Sequence, residues 1–591
     1  MNDKELLFYD VEVFENDSLA VFKDIEGTTV GKFWNNRSRK VIEDPSGFEG
    51  IGDLIEGKTL VGYNNYSYDD YILTVMLDPA LSMQRSIYAH NNSIIRLGGV
   101  DRTIDRRIRS IDTMQQISVS HPSLKQIEGN MGKSIIETSV SFDIERPLTD
   151  EERKETEKYC EYDVLSTIEV YKLRKKSYFE TKESLLEMLP ETTGKEARWN
   201  TTTLSANILL GKERLKHWRN HRVPDQFWRN VQGIPSDVWD MWEDSLKDEN
   251  ITKKGRSTTF GAYGCNMVMG MGGLHGAPAK AGRYENIKLA DVGSMYPSII
   301  CMLNALESAT PVYDGIRQER LKIKHTDKVR ANAMKLILNS VYGLFKSPYS
   351  GLFNPRASAT VCIFGQIALF TLCRELYEAG YELVNVNTDG VAFVDNPAKG
   401  NKYRLICDEW EKKFSGLSLE VDTFDTWIQK DVNNYIATQG DHVKVKGGEV
   451  NKYHGNRFFD NNNCRILQIA TVDKLVYGTD ILETLANRLN DPLLWQYILK
   501  AGSTYLGVRN KEGEWQNKVN RVFATREELP HTKLYKIRDD GGEVSFPDAP
   551  EFMYLWNGDL SDLHDFSRIV NIDHYYSLIE KKLKGWPADV Y

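Results

Sequence analysis

Apolar residues recur along this chain in two patterns: short unbroken runs, and longer stretches in which they return every three or four positions. The runs predict buried strands and the stretches predict helices. ELLFYDVEVF (5–14) is a run of the first kind. A second spans Leu60 to Tyr63, before a polar turn and a helix beginning near Asp69. RPLTDEERKETEKYCEYDVLSTIEVY (146–171) has Thr149 and Glu152 at capping-box spacing, so a long amphipathic helix should follow. IKLADVGSMYPSIICMLN (287–304) reads as a strand ending at Asp291, a tight turn, and a helix through Met302 with Pro297 near its start. KVRANAMKLILNSVYGLF (328–345) reads as a helix to about Tyr342, with Asp327 as N-cap. YELVNVNTDGVAFV (381–394) reads as a hairpin with Thr388, Asp389 and Gly390 near the turn.

Six carboxylates fall on these elements in two groups. Asp10 and Glu12 are two apart on one strand, so they share a face. Adjacent carboxylates repel unless a cation lies between them. Asp69 stands at a helix start, where capping is an ordinary role for aspartate. Asp163 follows Tyr159 by four positions, on the same helix face, and an acid on that apolar stripe needs a partner. Asp291 and Asp389 make the second group. Two acid clusters able to hold divalent ions suit two sites of phosphoryl chemistry.

Composition adjusts this picture only slightly. At 591 residues the chain is too long for one core, and roughly three to five domains are expected. No apolar run reads as a membrane span, and MNDKELLFYDVEVF lacks signal-peptide shape, so a cytoplasmic location is expected. Seven scattered cysteines with no CxxC pair argue against a zinc or iron–sulfur module and against a disulfide framework. The net charge of −9 is a weak objection to a nucleic-acid partner, because a local basic groove matters more than the total. KERLKHWRNHR (212–222) interleaves cations with aromatics and reads equally as a phosphate-tracking stretch or a solvated helix face.

Together the first group resembles the three exonuclease motifs of the DEDDy type: DxE at Asp10 and Glu12, Nx(4)D at Asn64 and Asp69, YxxxD at Tyr159 and Asp163. The resemblance implies a ribonuclease-H-like domain hydrolysing DNA 3′→5′. Asp10, Glu12, Asp69 and Asp163 would be metal ligands, and Tyr159 would position the attacking water. SIDTMQQI (110–117) is similar to a single-strand-binding motif of such domains, which implies Thr113 and Met114 as DNA contacts, with Asn64 of the Nx(4)D motif a further one. Protein-primed relatives place a lysine before the third motif, and the best alignment puts Glu137 there. That implies a slower nuclease or another cation.

The second group resembles family B DNA polymerases. DxxSMYPS is similar to their motif A, with Asp291 and Val292 as metal ligands. Ser294 and Met295 would lie along the triphosphate path, and Tyr296 would stack under the incoming sugar and exclude a 2′-hydroxyl. KxxxNSxYG is similar to motif B: Lys335 would meet the triphosphate, and Asn339 and Tyr342 the nascent base pair. Lys328 and Lys324 are further triphosphate candidates, or a solvated basic face. Motif C usually reads Tyr-x-Asp-Thr-Asp-Ser; here the metal-binding acid is Asp389 and the first acid is Asn387, which implies weaker metal affinity. MGMGGLHGAPA (269–279) resembles a YxGG-type motif, so Gly272 and Gly273 would approach the template and His275 would contact DNA. TWIQKDVNNYIA (426–437) resembles a lysine–tyrosine primer motif, giving Lys430 and Tyr435, with Lys446 nearby. Lys518, Arg521 and Lys533 are generic duplex candidates.

The implied fold is multidomain α+β/α/β: a ribonuclease-H-like exonuclease domain (1–175), a connector (176–283), then a right-hand polymerase. Its palm is 284–312 and 346–430, its fingers 313–345, and its thumb and C-terminal region 431–591. The implied activity is addition of dNTPs to a primer 3′-hydroxyl by two-metal phosphoryl transfer, with proofreading. Mg²⁺ or Mn²⁺, two per site, would be the cofactors. Partners would be primer-template DNA, single-stranded DNA at the exonuclease site and dNTPs, with a single-strand-binding protein or other replisome factors. A monomer with no membrane partner is expected. The role would be replication of a phage or mobile-element genome, in the host cytoplasm if phage-encoded. Protein-primed relatives insert subdomains between Asp291 and Lys335 and between Gly343 and Asp389; both gaps are short here, which implies priming from an ordinary 3′-hydroxyl and limited strand displacement. Asn387 motivates the alternative: mainly a 3′→5′ exonuclease or DNA-binding replication factor with a weakened polymerase site.

Overall fold

The first apolar run becomes β1 (Leu6–Val13), and it is covered on both faces. Leu7, Tyr9, Val11 and Val13 join one core cluster; Leu6 and Phe8, on the opposite face, join another. In this computed structural model the described residues are 3–35, 48–97, 103–216, 221–247, 250–253, 255–455, 458–459 and 464–587. They divide into two units: Met1–Asn200 with Asn456–Cys464 and Leu489–Asn571, and Thr201–Gly455 with Arg465–Arg488 and Ile572–Tyr591.

In the first unit β1 is central in a five-stranded sheet with β2 (Ser18–Lys23), β3 (Thr29–Trp34), β4 (Thr59–Gly62) and β5 (Ser110–Asp112), ordered β3-β2-β1-β4-β5. β2 and β3 run antiparallel, and β4 and β5 continue parallel. Three helices matter for the site: α1 (Asp69–Met76), α2 (Leu124–Asn130) and α3 (Asp150–Arg174). The expected capping box starts α3: Glu152 N–H donates to Thr149 Oγ1 at 3.2 Å, and Thr149 N–H to a Glu152 carboxylate oxygen at 2.8 Å. The buried face of α3, with Cys160, Val164, Ile168 and Tyr171, packs on Leu6 and Phe8, the β1 face that also carries Asp10 and Glu12.

The second unit is built on a nine-stranded antiparallel sheet, ordered β14-β13-β12-β9-β11-β10-β8-β7-β6. Its strands are β6 (Ser257–Ala262), β7 (Cys265–Gly270), β8 (Gly273–Ala277), β9 (Gly282–Val292), β10 (Leu383–Asn387), β11 (Gly390–Val394), β12 (Leu419–Asp431), β13 (Asn434–Gln439) and β14 (His442–Lys446). The expected strand–turn–helix is β9 followed by α4 (Met295–Met302). α5 (Thr310–Ile323) and α6 (Lys328–Leu344) pack together, with Tyr313 Oη donating to Leu338 O at 2.8 Å. Asp327 caps α6 as expected, accepting from Arg330 N–H at 3.0 Å. α7 (Pro355–Glu378) is buried almost throughout and packs on β8, β10 and β11. By length and composition it passes as a membrane span, contrary to the sequence expectation; here the apolar residues face other parts of the protein.

Two sequence expectations about organisation change. The connector is split, with 176–200 in the first unit and 201–283 in the second. The 431–591 segment is not one body either, because 489–571 packs with the first unit. Arg521 is the physical tie. It is fully buried, and its guanidinium donates to Gln496 Oε1 (2.9 Å) and to the carbonyls of Gly558 (2.6 Å), Gly129 (3.1 Å) and Lys133 (2.6 Å). A buried guanidinium is tolerated only with its donors satisfied. Arg521 is therefore engaged inside the protein and is not the duplex contact that the sequence suggested.

Candidate active sites

Asp10 and Glu12 leave β1 on the face beneath α3, and α3 brings Asp163 over them. Asp69 is the first residue of α1; it does not cap that helix. Burial pushes the Asp10 carboxyl up to about 7, and the charge of Asp163 adds to the effect. Glu12 and Asp69 are raised by burial and by neighbouring carboxylates, Asp10 first among them. Like charges stripped of water resist ionising together, so the cluster favours a cation at its centre. Cys160 Sγ lies 3.7 Å from Asp10 Oδ2, and the ligand atoms of Asp10, Glu12 and Cys160 lie within 4.8 Å of one another.

Asp70, next to Asp69, has a different environment. Its carboxylate accepts from Tyr9 Oη, Arg198, Ser110 Oγ (2.6 Å) and Asn65 Nδ2 (3.1 Å). Asp69 thus joins the acid cluster, and Asp70 fastens β1 and α1 to the Arg198 segment.

The cation at this cluster is not where the alignment looked for it. Glu137 accepts the backbone N–H groups of Lys518 (2.9 Å) and Val519 (3.1 Å), a structural tie. Lys125, on α2, pairs with Asp163 and stands 3.4 Å from Glu128, its ammonium 4.5 Å from the Tyr159 ring centroid. Burial works against that charge, but Asp163 and Glu128 outweigh it and raise the Lys125 pKa. Tyr159 stands one turn before Asp163 on the same face of α3, as the spacing implies. Sequence reasoning missed Lys125. The Ser123/Gln126 capping box announces a helix there, but nothing local says that the helix packs on α3.

The remaining contacts expected in this unit divide. Asn64 has φ 63°, and its N–H and that of Met114 both bind Asp112 Oδ1 at 2.8 Å. Thr113 is fully buried with its hydroxyl on Gly62 O at 2.7 Å, so it holds a turn and offers no side-chain contact.

In the second unit, β9 lies between β11 and β12, placing Asp291 opposite Gly390 and Glu420. Val292 N–H donates to Asp389 O at 2.8 Å, which fixes the two acidic segments together. Gly390 leaves room for the acid: a Cβ there would stand 2.9 Å from Asp291 Oδ1 and push that carboxylate aside. Burial pushes Asp291 up to about 7, Asp389 adding to it and Lys444 opposing. Asp389 is raised by burial, with Lys446 and Lys444 pulling it down. Lys446, expected from sequence, and Lys444, which was missed, are two apart on β14; Lys446 pairs across with Tyr435. Tyr435 is buried and stacks on Trp427, centroids 4.2 Å apart. Lys430 pairs with Glu449, whose carboxylate also accepts from Trp586 Nε1 at 3.1 Å, so its charge is already engaged.

Asn387 is explained by what its amide does. Asn385 Nδ2 and Asn387 Nδ2 both donate to Val432 O, at 3.1 and 3.3 Å. A carboxylate at 387 would face that carbonyl with no donor. Asn387→Asp is expected to lower stability by about 1–2 kcal/mol and to give no gain in any metal-dependent activity. Chemical denaturation of the two proteins at equal pH checks this.

Ser294 sits at φ 52° and caps the start of α4, with Met295 buried behind it. The rings of Tyr296 and Tyr342 meet at 4.6 Å. Gly273 has φ 123°, and a Cβ there would lie 3.4 Å from the Thr388 side chain and 3.5 Å from Tyr296 Oη; Gly272 faces open space. His275 Nε2 is 3.4 Å from Thr388 Oγ1, and burial lowers its pKa. A cavity of about 520 Å³ opens beside Gly272, Gly273 and His275, with Lys253, Arg256 and Lys346 on its wall. On α6, Lys335 and Asn339 are exposed; Lys328 is exposed at its start, and Lys324 is half-buried just beyond α5. Lys518 is exposed and Lys533 half-buried. Part of the basic run 212–222, residues 217–220, lies outside the described residues.

No protein-family model matches the chain. It is 25% identical over 261 residues to DNA polymerase 1 of Saccharolobus solfataricus, a match covering 36% of this chain and 29% of that protein. The chain thus spans under a third of that relative's length. Among solved structures it is similar to the family B DNA polymerase of the hyperthermophilic archaeon Pyrobaculum calidifontis, with 14% identity, 98% of this chain and 77% of that chain covered, and a TM-score of 0.41.

Proposed function

We propose that this chain is a family B type DNA-directed DNA polymerase carrying its own DEDDy 3′→5′ exonuclease. The observation that carries the reading is the register of β9 against β11, which sets the half-buried Asp291 beside the solvent-facing Asp389. The partial similarity to DNA polymerase 1 agrees with it. Incorporation of a single correct dNTP onto a primer annealed to a template tests it; a wild-type protein that binds the duplex and adds nothing contradicts it.

Both acid sets fit hard divalent cations such as Mg²⁺ or Mn²⁺, since each gathers more carboxylates than the lysine charge beside it, Lys125 at one and Lys444 at the other, offsets. Asp291 and Asp389 would hold the ions of one site, with Asp10, Glu12, Asp69 and Asp163 holding those of the other. Such ions activate the attacking oxygen and stabilise the leaving group. The chain's own residues do the rest. Lys335 and Lys328 on α6 present charge to a triphosphate. Tyr296, braced by Tyr342, forms the floor under the incoming sugar. Lys444 and Lys446 face the primer phosphates near Asp389. At the nuclease, Tyr159 orients water, and Lys125 offers a cation to the scissile phosphate. The bonding of Asn387 to Val432 supports an active polymerase site over the exonuclease-only alternative. The stretches between Asp291 and Lys335 and between Gly343 and Asp389 are largely taken up by α4 to α7, which supports priming from an ordinary 3′-hydroxyl. Replication of a phage or mobile-element genome is the role this compact form suits.

Two expectations follow. Lys125→Met should slow 3′ shortening about 10²-fold with incorporation unchanged, measured on one labelled primer. The second concerns pH. Asp10 and Asp291 sit above their ordinary 3.8, at about 7, so their contribution to stability is full below that ordinary value and is lost as pH rises through about 7. Thermal melts should therefore show a rise in Tm on adding Mg²⁺ that is larger at about pH 8 than at about pH 5.

A further inference from the structure

Phe458 and Phe459 were not singled out in the sequence, and the first unit gives them a setting. Their rings meet edge to face at 5.3 Å, and both are half-buried. They pack with Tyr63, Met114, Leu124 and Met131 over the buried Ile117, Ile127 and Val170.

Two helices join this apolar patch to the acid cluster. On α3, Asp163 and Val170 are seven positions apart on one face, about 10 Å along the axis, and Ser166 lies between them with its Oγ 2.9 Å from Glu128. On α2, Lys125 and Glu128 turn to Asp163, while Leu124 and Ile127 turn to the patch. The patch therefore continues the nuclease site at about the distance one to two nucleotides span. Single-stranded DNA binds where cationic or metal-bearing groups take the backbone and aromatic faces take the bases.

Resting on the exonuclease reading above, we infer that Phe458 and Phe459 are positioning residues: a stacking platform for unpaired bases at the 3′ end of DNA whose terminal phosphodiester lies at Asp10, Glu12, Asp69 and Asp163. The platform selects frayed or mispaired ends, because a base paired within the duplex is held on its template partner and is not free to swing onto the rings.

The test uses the full chain and a single-stranded oligonucleotide with 2-aminopurine at its 3′ terminus, beside one labelled far from that end. Phe458→Leu/Phe459→Leu keeps the apolar packing and removes the rings. The wild type should alter emission of the terminal label only, and the double variant should lose that change. Its KM for shortening should rise about tenfold with kcat within about twofold and Tm unchanged. Unchanged KM and unchanged emission in the folded double variant overturn the platform. So does a loss confined to kcat. If the leucine variant melts early, the single variants Phe458→Leu and Phe459→Leu are read on emission and KM in the same way. A wild type that changes the terminal emission and shortens nothing separates the two claims: stacking stands and the nuclease reading fails.

Discussion

Asp389→Ala is expected to abolish nucleotide incorporation, by about a thousandfold or more, and to leave 3′ shortening intact. The physical reason is the crowding of charge at β9 and β11. Asp291 is already raised to about 7 by burial and by Asp389, so the pair is poised for a divalent cation. Removing Asp389 takes away one of the two acids held together by the Val292–Asp389 backbone bond. Neither Glu420, across the β12 ladder, nor Asn387, engaged with Val432, replaces it in that position. Each preorganised charge lost from such a site costs about 10²–10³ in rate, and a shared metal ligand costs more. Steady-state incorporation beside wild type, with circular dichroism to show that the variant folds, makes the comparison.

Asp10→Ala is expected to produce the complementary loss: shortening should fall by about a thousandfold while incorporation continues. Asp10 stands between Glu12 and Asp163, and its charge is felt by Asp69. The informative control is Asp70→Asn. Asp70 is the more deeply bonded of the two neighbouring aspartates, held by Tyr9, Asn65, Ser110 and Arg198. Its substitution removes the charge that pairs the buried Asp70 with Arg198, whose side chain is 27% exposed, and should cost about 1–2 kcal/mol of stability. In the protein that remains folded, the shortening rate should stay within a few-fold of wild type. A ligand and a fastening residue one position apart are thus told apart by which measurement moves, a rate or a melting curve.

Part of the geometry of the first acid set was legible in the sequence because it rests on short-range rules. Two-residue spacing on β1 puts Asp10 and Glu12 on one face; four-residue spacing on α3 does so for Tyr159 and Asp163. The capping box at Thr149 and the cap at Asp327 set helix starts without outside help. What escaped depends on which element packs on which. Lys125 is 38 positions from Asp163 and meets it only because α2 packs on α3. Arg521 reads as a surface cation until four acceptors surround it. The last 130 residues read as a mixed helical pattern, but 489–571 folds largely as short strands such as Tyr497–Lys500 and Val519–Ala524, because short apolar runs do not tell strand from helix. Asn387 looked like a lost acid because the Val432 carbonyl that employs its amide lies on another segment.

The most direct test of the account is one gel: a 5′-labelled primer on a longer template, wild-type protein and Mg²⁺, with and without dNTPs. The account predicts elongation when dNTPs are present and shortening from the 3′ end when they are absent. Shortening under both conditions, with no elongated product, would contradict it.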